Sequence, residues 1–411
     1  MTSASLNLIT TAKDIQALAK TLSKAKEIAF DTEFIRESTF YPNLEVLQIA
    51  TEDEAWLIDM QAFQEKGRSK SDQKAQHLKD LKPLIDVLVN PNILKVVHAA
   101  HGDQECLLSA LGVVATPIFD TAVGASLCGL GDHIGLGNLL KSVLDIEHPK
   151  GYARTNWAKR PLPKPVLEYA VLDVKHLIQV AHSLFDRLEK ANRKDWALEL
   201  SAKFCDTHLY EVPPEDIAKR LAQSGKFNVK DYGVLLALVC WREERVRELN
   251  VPRRWLADDG VLIDLAKIKP TSVEQLQGFR GLSKGEHKPP HAERILKAVQ
   301  SGVTGGVETP ADLKRKNILQ PTSDESRAIE LLRVCITILS EEHQIASKHI
   351  VQPQHVLLLL RLKANTIAEL EASELVSSQL GAAGMKALHA FLKGEQGLVL
   401  VDGSVKLQKL S

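Results

Sequence analysis

Three short motifs place four carboxylates and a phenol in the first half of the chain: Asp31-Thr32-Glu33, Asp103 within His98-Ala99-Ala100-His101-Gly102-Asp103, and Tyr169-Ala170-Val171-Leu172-Asp173. Asp31 and Glu33 alternate with Thr32 in an apolar segment that reads as a strand, so both point to one face. A carboxylate there is costly unless it is paired or metal-bound. A strand end at which acids simply meet solvent is the other reading of this pair. Asp103 follows an apolar strand at the start of a helix, where the macrodipole alone favours an acid. Tyr169 and Asp173 have the i,i+4 spacing that shares one helix face. Acids gathered by a fold need cations to stay charged. Divalent metals are the obvious candidates, and a metal pair held in this way is suited to cutting phosphodiester bonds.

Several elements must position these groups. Thr11 and Asp14 resemble a capping box with Asp in place of Glu, which predicts an amphipathic helix to about residue 24. Segments 27–34, 46–51 and 55–60 predict a three-strand meander, followed by a solvated loop or ragged helix over 64–79 and a helix over 81–89. A fourth strand over 93–97, a helix from Asp103 and a short strand over 117–119 follow. From Thr121 the patterns are helical, with interruptions at 129–135 and 150–165. Strands mixed with helices indicate an α/β or α+β sheet domain that ends near residue 190. Beyond Lys194 nearly everything reads as helix, with a break at Pro213-Pro214 and a flexible linker expected at 301–306. Two helical units of similar size follow, roughly 225–300 and 320–400.

Composition narrows the class. The 411 residues exceed one ordinary core, and 44% hydrophobic with 25% charged residues is the balance of a soluble globular protein. Aromatic content of 5% argues against a broad base-stacking surface. No apolar stretch is long enough to span a bilayer, and no signal peptide is expected. Cys106, Cys128, Cys205, Cys240 and Cys335 are scattered and lack metal-ligand spacing, so they read as reduced residues of a cytosolic protein. Net charge is zero, but residues 1–224 carry 26 basic and 30 acidic groups and residues 225–300 carry 14 and 10. A slightly acidic part before a modestly basic one suits a metal site assisted by a phosphate-binding module.

In their order and context the three motifs resemble the DEDD superfamily of 3′→5′ exonucleases, in the subgroup whose third motif carries tyrosine. Phe34-Ile35-Arg36-Glu37 with Phe40-Tyr41-Pro42, and Thr155-Asn156-Trp157-Ala158-Lys159-Arg160-Pro161-Leu162, resemble segments of the ribonuclease D family, over about residues 10–190. Leu238 to Arg245, Asn250-Val251-Pro252, Leu262, Ala266, Pro270, Leu276, Gly281 and Ile295 resemble an HRDC domain, and 320–400 resembles one more weakly. Two features depart from the family pattern: Gln104 stands where an apolar residue is usual, and 64–79 is longer than the family loop.

The resemblance implies an α/β ribonuclease H-like core with a mixed sheet, followed by two all-α HRDC-type helical bundles. The expected domains are an exonuclease over 1–205, an HRDC domain over 225–300 and an HRDC-like domain over 315–405. It implies that Asp31, Glu33, Asp103 and Asp173 hold two divalent ions, Mg²⁺ or Mn²⁺, since an all-oxygen set suits hard cations. Tyr169 would orient the attacking water, and 5′-nucleoside monophosphates would leave from a free 3′ end. RNA is the implied partner, with tRNA precursors and their 3′ trailers as substrate, for a cytoplasmic monomer with no membrane and no small-molecule cofactor. A DNA 3′→5′ exonuclease and a non-catalytic RNA-binding scaffold are the alternatives; a phosphatase would not need the helical tail. Thr32, Trp157, Arg160, Arg242 and Arg245 are candidate substrate-binding residues. Trp157 could instead pack, Arg160 pair with a local acid, and Arg242 and Arg245 line a solvated helix face, while Arg253 and Arg254 could also meet phosphates. Asp120 is a further site acid or a helix N-cap, and His98 and His101 are metal ligands or packed histidines.

Overall fold

The computed structural model describes residues 7–64, 70–149, 151–152, 155–223, 228–283, 285–314 and 321–410. Six strands form one mixed sheet: β1 (Asn7–Ile9), β2 (Glu27–Ile35), β3 (Asn43–Ala50), β4 (Ala55–Asp59), β5 (Leu94–Val97) and β6 (Ile118–Asp120). Their order is β1-β4-β3-β2-β5-β6. β2, β3 and β4 make the antiparallel meander, and β5 and β6 extend the sheet in parallel with β2. β1 is too short to show a period-two pattern and pairs in parallel with β4 at the edge.

The helices of this unit are α1 (Ala12–Leu22), α2 (Lys70–Leu88), α3 (His101–Leu111), α4 (Thr121–Leu127), α5 (Leu136–Leu144), α6 (Lys164–Lys175), α7 (Leu177–Lys190) and α8 (Lys194–Ala202). α1 begins where expected: the Thr11 hydroxyl accepts the Asp14 N–H, and Ile15, Leu18, Ala19 and Leu22 form one buried stripe. Alternation along β2 separates two apolar layers. Ile28 and Phe30 enter the layer shared with α1, α2 and α3, and Ala29 enters the layer shared with α4 and α7. Residues 70–79 are the first turns of α2, not a loop, because the helix propagates back from the buried Leu81, Leu84 and Leu88; 65–69 lie outside the described residues. Gln104 is fully buried, and its amide satisfies both the N–H and the C=O of Ala115, at 2.7 and 2.8 Å.

The first helical unit contains α9 (Pro214–Ala222), α10 (Tyr232–Leu249), α11 (Arg253–Leu256), α12 (Asp259–Ile268), α13 (Val273–Leu276), α14 (His291–Thr304) and α15 (Ala311–Lys314). One apolar cluster runs through it from Ile217 to Leu313, so α9, which precedes residue 225, belongs to the same packing. The linker expected at 301–306 is helical through Thr304. Gly302 lies against α10 so closely that a Cβ there would stand 2.5 Å from Val234 Cα, which makes this a packing glycine. The second unit contains α16 (Ser323–Glu342), α17 (Ser347–Ile350), α18 (Val356–Leu362), α19 (Ile367–Ala372) and α20 (Gly381–Leu392), and the expected boundary at 315 lies outside the described residues. It ends in a hairpin, β7 (Gln396–Val401) with β8 (Ser404–Lys409), where only helix was expected. Asp402 and Gly403, both with positive φ, form its two-residue turn.

Two joints tie these units to the sheet. The Phe40 ring, in the loop after β2, has the guanidinium groups of Arg247 and Arg253 over it, 5.2 and 4.9 Å from its centroid. Asn250 Oδ1 accepts the N–H groups of Phe40 and Tyr41, each at 3.1 Å. The second joint is broader. Leu127 of α4 and Ala181 of α7 share one apolar cluster with Leu339, Ile345 and Leu388 of the last unit. Arg193 donates to the carbonyls of Leu127, Gln344 and His343 at 3.0, 2.8 and 3.1 Å. Gly129, at φ +71°, touches Gln344 so closely that a Cβ would come within 2.7 Å of its Cα. No helix among the described residues is long and apolar enough to cross a membrane, and all five cysteines are free.

Candidate active site

β2 and α6 meet at the acids. Asp31 and Glu33 share the sheet face that α6 covers, and α6 presents Asp173 to them from a helix that starts on the Pro163-Lys164-Pro165 segment. Carboxylate oxygens of Asp31, Glu33 and Asp173 lie within 4.8 Å of one another. Asp103 approaches from the other layer, in the first turn of α3. Thr32 points to that side, and its N–H and hydroxyl both donate to Asp103 Oδ1, at 3.0 and 2.6 Å. Three acids therefore converge, and the fourth is anchored beside them.

Electrostatics make this arrangement unstable as four bare charges. Burial pushes the Asp31 carboxyl well above the ordinary range, reinforced by Asp103, Asp173 and Glu33. Burial, then Asp173 and Asp103, push Glu33 up to about 8. Asp103 is pushed up to about 7 by burial, against the lowering effect of the Thr32 hydrogen bonds. Asp173 is raised by burial, opposed by His148. Buried like charges are relieved by a counter-cation. An oxygen-only donor set of this spacing fits hard divalent ions. Tyr169 also has its phenol raised, by burial first and by Asp173, Glu33 and Asp31 next, so it is a neutral hydroxyl at neutral pH.

His148 and Tyr152 complete the surroundings and were not apparent in the sequence. His148 Nε2 stands 3.0 Å from Asp173 Oδ1, a contact of ion-pair type, with its ring edge-on to Tyr169 at 5.4 Å between centroids. The Tyr152 ring is also 5.4 Å from that of Tyr169. Both lie in the segment between α5 and α6, where no spacing rule links a loop residue to a helix face.

The structure shows what each candidate substrate contact is bonded to or packed against. Thr32 holds Asp103 with both of its donors. Trp157 is 2% exposed and packs with Val46, Leu57, Ala170 and Val171. Arg160 is committed to Asp59 through two bonds, at 2.9 and 2.8 Å. Arg242 is 1% exposed and binds Asp259 at 2.8 Å, with Glu243 at 3.4 Å, which makes it a buried core cation rather than part of a solvated helix face. Arg245 pairs with Glu286 and Glu248 and meets His291. Arg253 forms a two-pronged pair with Glu243 at 2.7 Å, whereas Arg254 is exposed. Each engaged group has at least one acidic partner outside its own helical turn. His98 is packed, bonded to Thr121 Oγ1 at 2.9 Å and to the Ile134 carbonyl at 3.1 Å, and its pKa is lowered mainly by burial. The His101 ring lies against Tyr210. Asp120 caps α4 by accepting the Ala122 N–H.

Comparison with known proteins bears on this geometry. Residues 6–189 match the family model for 3′-5′ exonucleases, and residues 231–299 that for the HRDC domain. Ribonuclease D of Nitrobacter hamburgensis is 33% identical over 402 residues, 98% of this chain and 97% of that protein. Ribonuclease D of Bartonella henselae is 32% identical over 406 residues, 98% and 94% of the two chains. The crystal structure of Escherichia coli RNase D, an exoribonuclease involved in structured RNA processing, has the same fold: TM-score 0.71, 24% identity, 95% of this chain and 99% of that one.

Proposed function

The chain belongs to the ribonuclease D family, and on that premise we propose that Asp31, Glu33, Asp103 and Asp173 are the carboxylates with which it removes nucleotides from an RNA 3′ end. It is a 3′→5′ exoribonuclease, a divalent-metal-dependent hydrolase with a ribonuclease H-like core. The observation that carries the residue assignment is the convergence of Asp31, Glu33 and Asp173 within 4.8 Å, with Asp103 gripped beside them.

Two ions, Mg²⁺ or Mn²⁺, would supply charge stabilisation for the attacking and leaving oxygens of an in-line displacement. The four carboxylates would hold them, Asp31 and Glu33 from the strand and Asp103 and Asp173 from the helices. Tyr169, kept neutral near pH 7 by its raised pKa, orients the attacking water through its hydroxyl and does not act as a general base. His148 restrains Asp173 and the Tyr169 ring together.

As substrate we propose tRNA precursors with 3′ trailers, acted on by a cytoplasmic monomer. The exonuclease unit would span 1–205 and the helical units 225–300 and 315–405, with α9 and α15 packed onto the first of them. The excess of basic residues in 225–300 supports a role for that unit in holding the phosphate backbone. The test is digestion of 3′-extended tRNA, and of a matched DNA, by the full chain in Mg²⁺ or Mn²⁺, in EDTA, and with Asp31→Asn. Stepwise 3′ shortening of the RNA that disappears in EDTA and in the folded variant is expected. Full activity of folded Asp31→Asn would remove the residue assignment, and preference for DNA would overturn the substrate class.

A further inference from the structure

Between β5 and α3 the chain reverses through His98-Ala99-Ala100, and this reversal fixes where α3 begins. Ala99 sits at φ +61°, the left-handed region that a residue with a Cβ ordinarily avoids. Alanine has no polar side chain with which to hold such a turn, and Ala100, at the head of α3, provides no side-chain cap. The turn is held from outside. Asp120 Oδ1 accepts the Ala99 N–H at 2.9 Å, and Oδ2 accepts the Ala100 N–H at 3.0 Å. Oδ1 also accepts the Ala122 N–H at 2.8 Å, the only one of the three bonds that capping of α4 explains. The Asp120 N–H in turn donates to Ser201 Oγ on α8 at 3.1 Å, and the residue is 1% exposed.

We propose that Asp120 is a positioning residue for hydrolysis: it holds the Ala99 turn in its left-handed geometry and thereby sets the origin of α3, from which Asp103 reaches Thr32 and the other three acids. The inference rests on the reading of Asp103 as a site carboxylate. The Asp120 carboxylate accepts three backbone N–H groups, and its failure would be felt as a displaced Asp103 in a folded protein.

Asp120→Ser separates the two roles of this side chain. Serine caps a helix about as well as aspartate, but its hydroxyl is too short to reach the Ala99 and Ala100 N–H groups. Expected for the full chain is a kcat about 10–100-fold lower with KM little changed, the range found when a group supporting a metal ligand is removed. Mn²⁺ alone, titrated by its effect on thermal unfolding, should be required at correspondingly higher concentration. Adding Ala99→Gly should recover much of both, since glycine adopts the left-handed turn without support. If Asp120→Ser does not fold, the isosteric Asp120→Asn, which keeps one acceptor oxygen and loses the other, should show a smaller loss of the same kind, again relieved by Ala99→Gly. Parental kcat and Mn²⁺ response in the folded variant, or a loss that Ala99→Gly does not relieve, would overturn the proposal. Asp103→Asn is the parallel control: if it retains full activity, the site assignment itself fails, whereas an inactive Asp103→Asn beside a fully active Asp120→Ser refutes only the role of Asp120.

Discussion

Replacing Glu33 with glutamine should abolish hydrolysis and, in the absence of divalent ions, make the protein more stable. The folded Glu33 carboxyl titrates near 8 rather than 4.5, because burial and then Asp173 and Asp103 oppose its ionisation. A folded pKa above the unfolded one means that the folded state holds a proton which the unfolded state releases. Stability is therefore greatest below about 4.5 and falls as pH rises to about 8. At ~1.4 kcal/mol per pH unit, that window sets a ceiling of roughly 5 kcal/mol. Solvent at the half-buried mouth, and sharing of protons with three neighbouring acids, reduce the expected gain to about 2–3 kcal/mol at pH 8. Glutamine has the same shape and no charge, so it relieves the repulsion at pH 8 and changes little at pH 5. Scanning calorimetry of the full chain in EDTA would show the sheet-bearing unit melting about 4–12 °C higher at pH 8, with little difference at pH 5. Mn²⁺ should stabilise the parent at pH 8 more than the variant. A variant that melts at or below the parent at pH 8, or gains equally at both pH values, would refute the electrostatic account of the site.

Tyr169→Phe should keep the Mn²⁺-dependent rise in melting temperature while single-turnover hydrolysis slows about 10²–10⁴-fold; an unchanged rate would remove the phenol from the mechanism. Arg242→Ala empties a buried site and breaks the bond to Asp259, while Glu243 keeps its two-pronged pair with Arg253, so the first helical unit should lose about 2–4 kcal/mol by denaturant unfolding, and weakened RNA binding in a variant of parental stability would contradict its structural role. Gly129→Ala places a Cβ against the Gln344 backbone at a positive φ, and hydrogen exchange should accelerate across 340–350 while the sheet stays protected.

Much of the sheet-bearing unit was legible because its signals are local. Strand alternation placed Asp31 and Glu33 on one face, and the i,i+4 rule placed Tyr169 with Asp173. The order of the motifs identified the family before any distance was known. What escaped detection was long-range. The sequence left Arg160 open between a phosphate and an acid, and Arg242, Arg245 and Arg253 open to phosphates, because Asp59, Asp259, Glu286 and Glu243 lie outside the local turn and a sequence shows charge but not pairing. Thr32 was taken for a substrate contact, yet its hydroxyl is consumed by an acid 71 residues away. Gly302 read as linker composition and proved to be the contact between two helices. The terminal hairpin was hidden because a lone two-stranded ribbon has no buried face to impose a pattern.

The nine-residue helix α8 is engaged at both ends by different parts of the chain. Near its start Arg193 and Trp196 meet Gln344 and His349 of the last helical unit. Near its end Ser201 holds Asp120. Trimming experiments must be interpreted with this in mind. A truncation that removes the C-terminal unit takes away more than an accessory surface: it bares the apolar sides of α4 and α7 and frees one end of a strut about 13 Å long whose other end braces the catalytic scaffold. Slower turnover by such a fragment would report slackened geometry as much as weaker grip on RNA. The two could be separated only after the bared surface had been redesigned to stand without its cover.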